Sequence, residues 1–210
     1  MVNHLILYAK RPFAGYTKTR LAAGIGAEEA AGVSARLLYF LLADMNKVQS
    51  ENAVDCTLSL ASPEDVPFFK AAFPEWNVTA QINGNLGERM AASIQQALVS
   101  GATKVVLAGS DIPSLNHRHI LEAFQSLDAN EIVLGPTLDG GFYLIGTTVP
   151  VDDIFEDIPW STPEVLQKCL QKAKQENLSI DCIRTLSDMD TEKEYFQWQQ
   201  RLMGRANDKE

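Results

Sequence analysis

The sequence predicts an α/β fold: three layers, with a mostly parallel sheet and helices on both of its faces. Three observations carry this expectation. Short apolar runs alternate with longer amphipathic runs along the chain, the pattern of successive βαβ units. The run Lys104-Val105-Val106-Leu107-Ala108-Gly109 is almost wholly apolar, as strands covered on both faces are. Of 210 residues 46% are apolar, enough to fill the core of one domain.

Each element follows from its pattern. Residues 5–9 read as a buried strand. Residues from about 27 to 49 read as a helix, because Leu37, Leu38, Leu41, Leu42, Met45 and Val48 recur at helical spacing. Leu21-Ala22-Ala23-Gly24-Ile25-Gly26 reads as a turn into it. Residues 56–61 form a second strand, and 63–72 a short helix with Ser62 as cap and Pro63 in its first turn. A third strand over 78–82 precedes a helix over 87–100, on which Met90, Ile94 and Leu98 lie four apart. The strand at 104–109 leads to a helix near 116–127. Strands at 131–135 and 142–146 flank the turn-rich Pro136-Thr137-Leu138-Asp139-Gly140-Gly141. Ser161-Thr162-Pro163-Glu164 has the form of a capping box and predicts a helix to about 175. A strand over 179–183 and a helix over 191–202 complete a single domain, residues 1–203, with a polar tail at 204–210.

Composition excludes several classes. The net charge is −9, and the only basic cluster is Lys10-Arg11 with Lys18-Thr19-Arg20, so no duplex nucleic-acid surface is expected. No apolar stretch approaches the roughly 20 residues a membrane span needs. Met1-Val2-Asn3-His4 lacks the basic-then-apolar order of a signal peptide. Cys56, Cys169 and Cys182 are odd in number and far apart, which suits a reducing, cytoplasmic setting better than a disulfide or thiolate-zinc framework.

In parallel α/β sheets ligands sit outside the carboxyl ends of the strands, and the polar residues there are the candidates. The first loop, residues 10–20, holds four cations, Gly15 and two threonines. Lys10, Lys18 and Arg20 there could hold phosphates, although the spacing is not that of a P-loop. Asp111, after the best strand, could hold Mg²⁺ or Mn²⁺, or stabilise the Asp-Ile-Pro bend. Asp139-Gly140-Gly141 is either a hairpin turn or a backbone that must approach substrate closely, with Asp139 as a polar hook. Asp190 is the natural cap of the last helix, or a second metal ligand, and Asp188 is its neighbour. Gly87 and Arg89 stand at a helix start whose amides could meet an anion or a base. Trp160 is a substrate wall or a hydrophobic staple. His117 and His119 read as surface residues.

Taken together these segments resemble a bacterial GT-A-fold family known as glycosyltransferase-like, or as radical-SAM/selenodomain-associated transferases. It is related to the guanylyltransferase of deazaflavin-cofactor synthesis and to the molybdenum-cofactor nucleotidyltransferases. The resemblance rests on Ala9-Lys10 with Pro12, Gly15 and Lys18-Thr19-Arg20-Leu21; on Leu86-Gly87-Glu88-Arg89-Met90; on Gly109-Ser110-Asp111-Ile112-Pro113; on Gly135-Pro136 with Asp139-Gly140-Gly141-Phe142-Tyr143-Leu144; and on Trp160-Ser161-Thr162. It implies a nucleotide-diphospho-sugar transferase fold. It also implies that Ala9, Lys10, Gly15, Lys18, Arg20, Gly87 and Arg89 bind the donor, that Gly140, Gly141 and Trp160 meet substrate, and that Asp111 and Asp190 hold the metal. Asn85 departs from the Asp expected before Leu-Gly.

The function expected is metal-dependent nucleotidyl transfer from a nucleoside triphosphate to a small molecule bearing phosphate or carboxylate. Lys18 and Arg20 would act on the phosphates in catalysis. The first alternative is glycosyl transfer from a nucleoside-diphosphate sugar with Asp139 as base; the second is a non-catalytic nucleotide-binding protein. The partners expected are a nucleotide donor and a small acceptor, with no nucleic acid and no membrane.

Overall fold

The computed structural model describes residues 2–207. Seven strands form one sheet: β1 (Asn3–Ala9), β2 (Val54–Leu60), β3 (Asn77–Ala80), β4 (Lys104–Gly109), β5 (Ile132–Pro136), β6 (Phe142–Thr147) and β7 (Ile180–Cys182). Their order is β3-β2-β1-β4-β6-β5-β7. Only β6, which returns from β5 through a tight turn, runs antiparallel to its neighbours β4 and β5. The other pairings are parallel, so the sheet is mixed but mostly parallel, as expected.

Among the described residues eight α-helices accompany the strands: α1 (Thr19–Ile25), α2 (Ala27–Asn52), α3 (Val66–Ala72), α4 (Leu86–Val99), α5 (His117–Ser126), α6 (Asp152–Phe155), α7 (Val165–Gln175) and, after the last strand, α8 (Glu192–Asn207). Alternation along the central strands builds two cores. Leu5, Leu7, Val106 and Ala108 face one layer, with Leu38, Leu42 and Met45 of α2 and Ile120 and Phe124 of α5. Ile6, Val105 and Leu107 face the other, with Met90 and Ile94 of α4 and Val165 and Cys169 of α7. This is why those strands read as continuous apolar runs rather than as alternating ones. No described helix is long and apolar enough to cross a membrane.

Connectivity places the site. From β1 the chain steps outward to β2 and β3, then crosses back to β4 on the opposite side of β1. The crevice between β1 and β4 is therefore the topological switch point, where ligands bind in such sheets. Tyr8 pairs with Gly109. Lys10 and Asp111, each two residues further on, thus leave the sheet side by side.

Several local expectations are corrected. The segment expected to turn, residues 21–26, forms most of helix α1. Glycine at 24 has a packing reason, since a Cβ there would lie 2.7 Å from Cβ of Glu192 in α8. The Ser161 capping box does not form: Ser161 lies at φ +66°, and α7 begins only at Val165 with no side-chain cap. Instead Thr162 Oγ1 accepts from Glu164 N (3.3 Å) and donates to the carbonyl of Pro159 (2.7 Å). The last helix runs to Asn207, beyond its expected end at 202 and through the start of the expected tail; residues 208–210 of that tail lie outside the described residues. His117 and His119 are half-buried rather than surface residues. His117 Nδ1 lies 2.9 Å from an Asp44 carboxylate oxygen, and His119 Nδ1 accepts from Asn116 N (3.3 Å) at the start of α5.

Candidate active site

A cleft of about 640 Å³ opens at the carboxyl ends of the parallel strands. Ala9 at the end of β1 and Lys10 after it, Ala61 after β2, Gln81 after β3, Ser110 and Asp111 after β4, Thr137 and Asp139 after β5, and Asp188 and Asp190 after β7 all line it. A smaller hollow of about 140 Å³ lies between α4 and strands β1 to β3, near His4 and Thr57. The larger cleft is where the sequence candidates meet.

The four cations of the first loop have different situations. Lys10 is exposed in the cleft. Arg11 is held away by Asp65 (3.3 Å) and sandwiched between Phe13 and Phe68, with its guanidinium 4.4 and 4.3 Å from the ring centres. Arg20 is exposed at the rim, 3.8 Å from an Asp190 oxygen. Lys18 is the outlier: its side chain is only 2% exposed. Its ammonium donates to the carbonyl of Met189 (2.9 Å) and lies 3.3 Å from Asp111 Oδ1 and 3.7 Å from Asp190 Oδ1. Gly15 does not line the cleft. It sits at φ +83°, where the loop turns back so that Thr17 N donates to the carbonyl of Phe13 (3.3 Å).

Asp190 has its carboxylate at the site because it does not cap α8. Thr191 and Glu194 do that reciprocally: Thr191 N donates to Glu194 Oε2 (2.8 Å), and Glu194 N to Thr191 Oγ1 (3.4 Å). Asp111 leaves β4 with its side chain 62% exposed. Asp139 belongs to the β5–β6 turn; its Oδ1 accepts from Thr137 Oγ1 (2.5 Å) and Gly141 N (3.1 Å). Asp188 is half-buried, and its carboxyl is pushed up to about 6, first by burial and then by Asp190, Asp139 and Glu194.

That shift has a sign. The folded state disfavours ionised Asp188, so the penalty is absent near pH 4, grows through pH 6 and is complete above it. In metal-free buffer Asp188→Asn is therefore expected to stabilise the protein by about 1–2 kcal/mol at pH 8. The full linkage of roughly 1.4 kcal/mol per pH unit is reduced because the cleft is open to solvent. The two proteins should converge by pH 4. Denaturant unfolding at both pH values checks this, and an equal gap at both would remove the account of Asp188.

The walls of the cleft are fixed by two glycines that do not themselves line it. Gly87, at the start of α4, lies under Trp160: a Cβ there would be 2.6 Å from the indole. Trp160 is held edge-on by Phe142 and Phe155. It therefore serves both as a packing residue and as a cleft wall. Gly140, at φ +90°, lies against the 161–165 loop, where a Cβ would be 2.2 Å from the carbonyl of Pro163. Its own carbonyl accepts from Leu166 N (2.9 Å). Gly141 lines the cleft beside Asp139.

The sequence reading missed Tyr8 and Gln81. The Tyr8 hydroxyl donates to the carbonyl of Arg89 (2.7 Å) and lies 2.8 Å from Ser93 Oγ, while Gln81 Oε1 accepts from Arg89 Nη1 (2.8 Å). Together they hold Arg89 and the first turn of α4 over the β1 end of the cleft. The one available signal was a tyrosine inside an otherwise aliphatic strand. Asn85, the departure noted above, caps α4: its side chain accepts from Glu88 N (3.0 Å), and Glu88 Oε2 accepts from Asn85 N (2.9 Å).

The donor set suits a hard divalent cation. Two carboxylates and a carbonyl already converge on one positive centre, the Lys18 ammonium. Among the described residues no cluster of three or more His, Cys, Asp or Glu has metal-binding geometry. A Mg²⁺-type site with one or two protein carboxylates takes its other oxygens from donor phosphate and water.

Fold and cleft together define a nucleotide-diphospho-sugar transferase fold of the GT-A-like kind. Within that class, the chain belongs to the family described as "Uncharacterized protein conserved in bacteria (DUF2064)", whose family model matches residues 44–162. A protein of Desulfovibrio desulfuricans G20, provisionally described as a nucleotide-diphospho-sugar transferase, is 30% identical over 91% of this chain and 84% of its own, with TM-score 0.82. A CMP:2-keto-3-deoxy-manno-octonic acid synthetase complexed with CTP shares the fold at 11% identity and TM-score 0.57, over 98% of this chain and 100% of that one. So does Rv0371c of Mycobacterium tuberculosis H37Rv in a complex with manganese, at 13% identity and TM-score 0.55, over 94% and 98% of the two chains. No curated protein matches the sequence.

Proposed function

We propose that the chain is a metal-dependent nucleotidyltransferase that moves a nucleotidyl group from a nucleoside triphosphate to a small acceptor bearing phosphate or carboxylate. The observation that carries this is the convergence of Asp111 and Asp190 on one cationic point, with Lys10 and Arg20 exposed beside it. Asp111 and Asp190 hold Mg²⁺ or Mn²⁺, which neutralises charge on the donor phosphate oxygens when bound. Lys10 and Lys18 hold the triphosphate and the departing pyrophosphate. Arg20, at the rim, meets the acceptor's charge or the outer phosphates. Arg89 and Gln81 bound the end where the donor base lies, and Gly141 and Trp160 bound the acceptor. A phosphate or carboxylate nucleophile is already ionised at neutral pH, so this transfer needs no general base.

The CTP complex of one fold relative and the manganese complex of another support the reading. The kinship with radical-SAM-associated transferases and the deazaflavin guanylyltransferase belongs to the same proposal. So does a cytoplasmic setting, which three free cysteines support. Glycosyl transfer is the second reading. It is favoured by the description of the Desulfovibrio relative and by Asp139, a carboxylate in the cleft able to serve as base.

A thermal-shift panel of the four common nucleoside triphosphates and of UDP- and GDP-sugars, each with Mn²⁺, separates these readings. Stabilisation by at least one triphosphate and by no sugar nucleotide is expected. The opposite pattern transfers the proposal to glycosyl chemistry. Binding of either class that survives Asp111→Ala without metal dependence leaves only a non-catalytic nucleotide-binding protein.

A further inference from the structure

Lys18 differs from every other cation of the first loop. Its side chain is almost completely buried, whereas Arg20 is 76% exposed and Lys10 has no carboxylate partner among the described residues. It is also conformationally unusual: it sits at φ +47°, ψ +50° at the entrance to α1, a left-handed backbone uncommon for lysine. This geometry directs its four-carbon stem beneath the two carboxylates that the Proposed function assigns to the metal.

We propose that Lys18 is the internal counter-ion of this site. Its ammonium holds Asp111 and Asp190 together while no metal is bound, and it leaves them when a divalent cation enters with the donor phosphates. The inference rests on the reading of Asp111 and Asp190 as metal ligands.

Electrostatics motivates it. An ammonium and a divalent cation cannot share one carboxylate pair, because like charges within about 4 Å repel strongly at a protein's effective dielectric. Without the ammonium, Asp111 and Asp190 would face each other with only the exposed Arg20, 3.8 Å from Asp190, as counter-charge, beside a third acid at Asp188. The triphosphate provides the ammonium with another place to go. Its negative charges enter the same cleft, and a lysine can reach them by side-chain rotation alone. Metal and phosphates therefore each lower the cost of binding the other, and such coupling is reciprocal. Lys18 is on this account a positioning residue in the empty site and a phosphate ligand only in the loaded one.

The test is Mn²⁺ titration without nucleotide, read by the electron paramagnetic resonance of free Mn²⁺, on wild type, Lys18→Met and Lys18→Asn. Asparagine tolerates the left-handed backbone, so Lys18→Asn provides the result if the methionine variant does not fold. Expected is an affinity in the variants at least about tenfold above wild type, within the usual range of coupling between sites. Adding Asp111→Asn to either variant should abolish the gain. Equal or weaker Mn²⁺ binding in the variants overturns the counter-ion role and leaves the metal reading standing. Absence of Mn²⁺ binding in wild type and both variants without nucleotide also overturns the counter-ion role, and the metal reading falls with it only if Mn²⁺ is still absent from the site once the triphosphates are added.

Discussion

Asp111→Asn is expected to lower transfer from the nucleotide donor about a thousandfold while leaving the fold intact. The amide keeps the volume of the carboxylate but removes the charge that makes it a ligand for a hard cation. Charge neutralisation at a transferring phosphoryl group accounts for several kcal/mol of barrier, and each 1.36 kcal/mol is about a factor of ten. The stability cost is small because the side chain is 62% exposed and its partner Lys18 retains Asp190. Initial-rate measurement of product, with a melting curve on the same preparation, checks both halves. Full activity in a well-folded Asp111→Asn protein would exclude the aspartate from the chemistry.

Gly140→Ala is expected to have the largest structural effect, about 3 kcal/mol of lost stability and a fall in Tm on the order of 10 °C. Two penalties coincide there. The backbone is at φ +90°, which an L side chain rarely adopts, and the added methyl would meet the Pro163 carbonyl at 2.2 Å. Rigid backbone rather than a pliable side chain stands in its way. Relief requires the β5–β6 turn to separate from the 161–165 loop. That separation displaces Asp139 on one side and Trp160 on the other, both of which line the cleft. Activity measured well below the new Tm should therefore fall as well. A variant that melts like wild type would contradict the close approach of Gly140 to the Pro163 carbonyl.

The architecture was legible because burial on both faces leaves a clear trace. Val105-Val106-Leu107-Ala108 serves two cores at once, and no polar residue interrupts it. Helix α1 was not legible, because Gly24 and Gly26 signal a turn. What calls for glycine at 24 within the helix is the approach of Glu192, more than 160 residues away in sequence. Caps illustrate the same boundary. Directly ahead of α4, α7 and α8, the pattern of a capping residue followed three positions later by Glu occurs at Asn85–Glu88, Ser161–Glu164 and Thr191–Glu194. It closes at the first and third and fails at the second, where Ser161 takes a left-handed backbone against the Gly140 turn.

The site followed the same logic. Strand ends mark where ligand groups emerge, so Asp111 and Lys10 could be picked from local pattern. The pairing of Lys18 with Asp111 and Asp190 could not, since it joins the loop after β1, the end of β4 and the segment before α8. Asp190 looked like a helix cap by position, and only the Thr191–Glu194 pair released it from that role.

The central claim is that Asp111 and Asp190 hold one divalent cation on the phosphates of a nucleotide in this cleft. Crystals grown with Mn²⁺ and a mixture of nucleoside triphosphates test it most directly, through the anomalous signal of manganese. The predicted result is a single strong peak within coordination distance of both carboxylates and of a triphosphate oxygen, with the Lys18 ammonium moved from the carboxylates onto the phosphates. A nucleotide ordered in the cleft with no manganese at Asp111 would contradict it, whereas manganese bound there with Lys18 still between the two aspartates would contradict only the counter-ion role of Lys18.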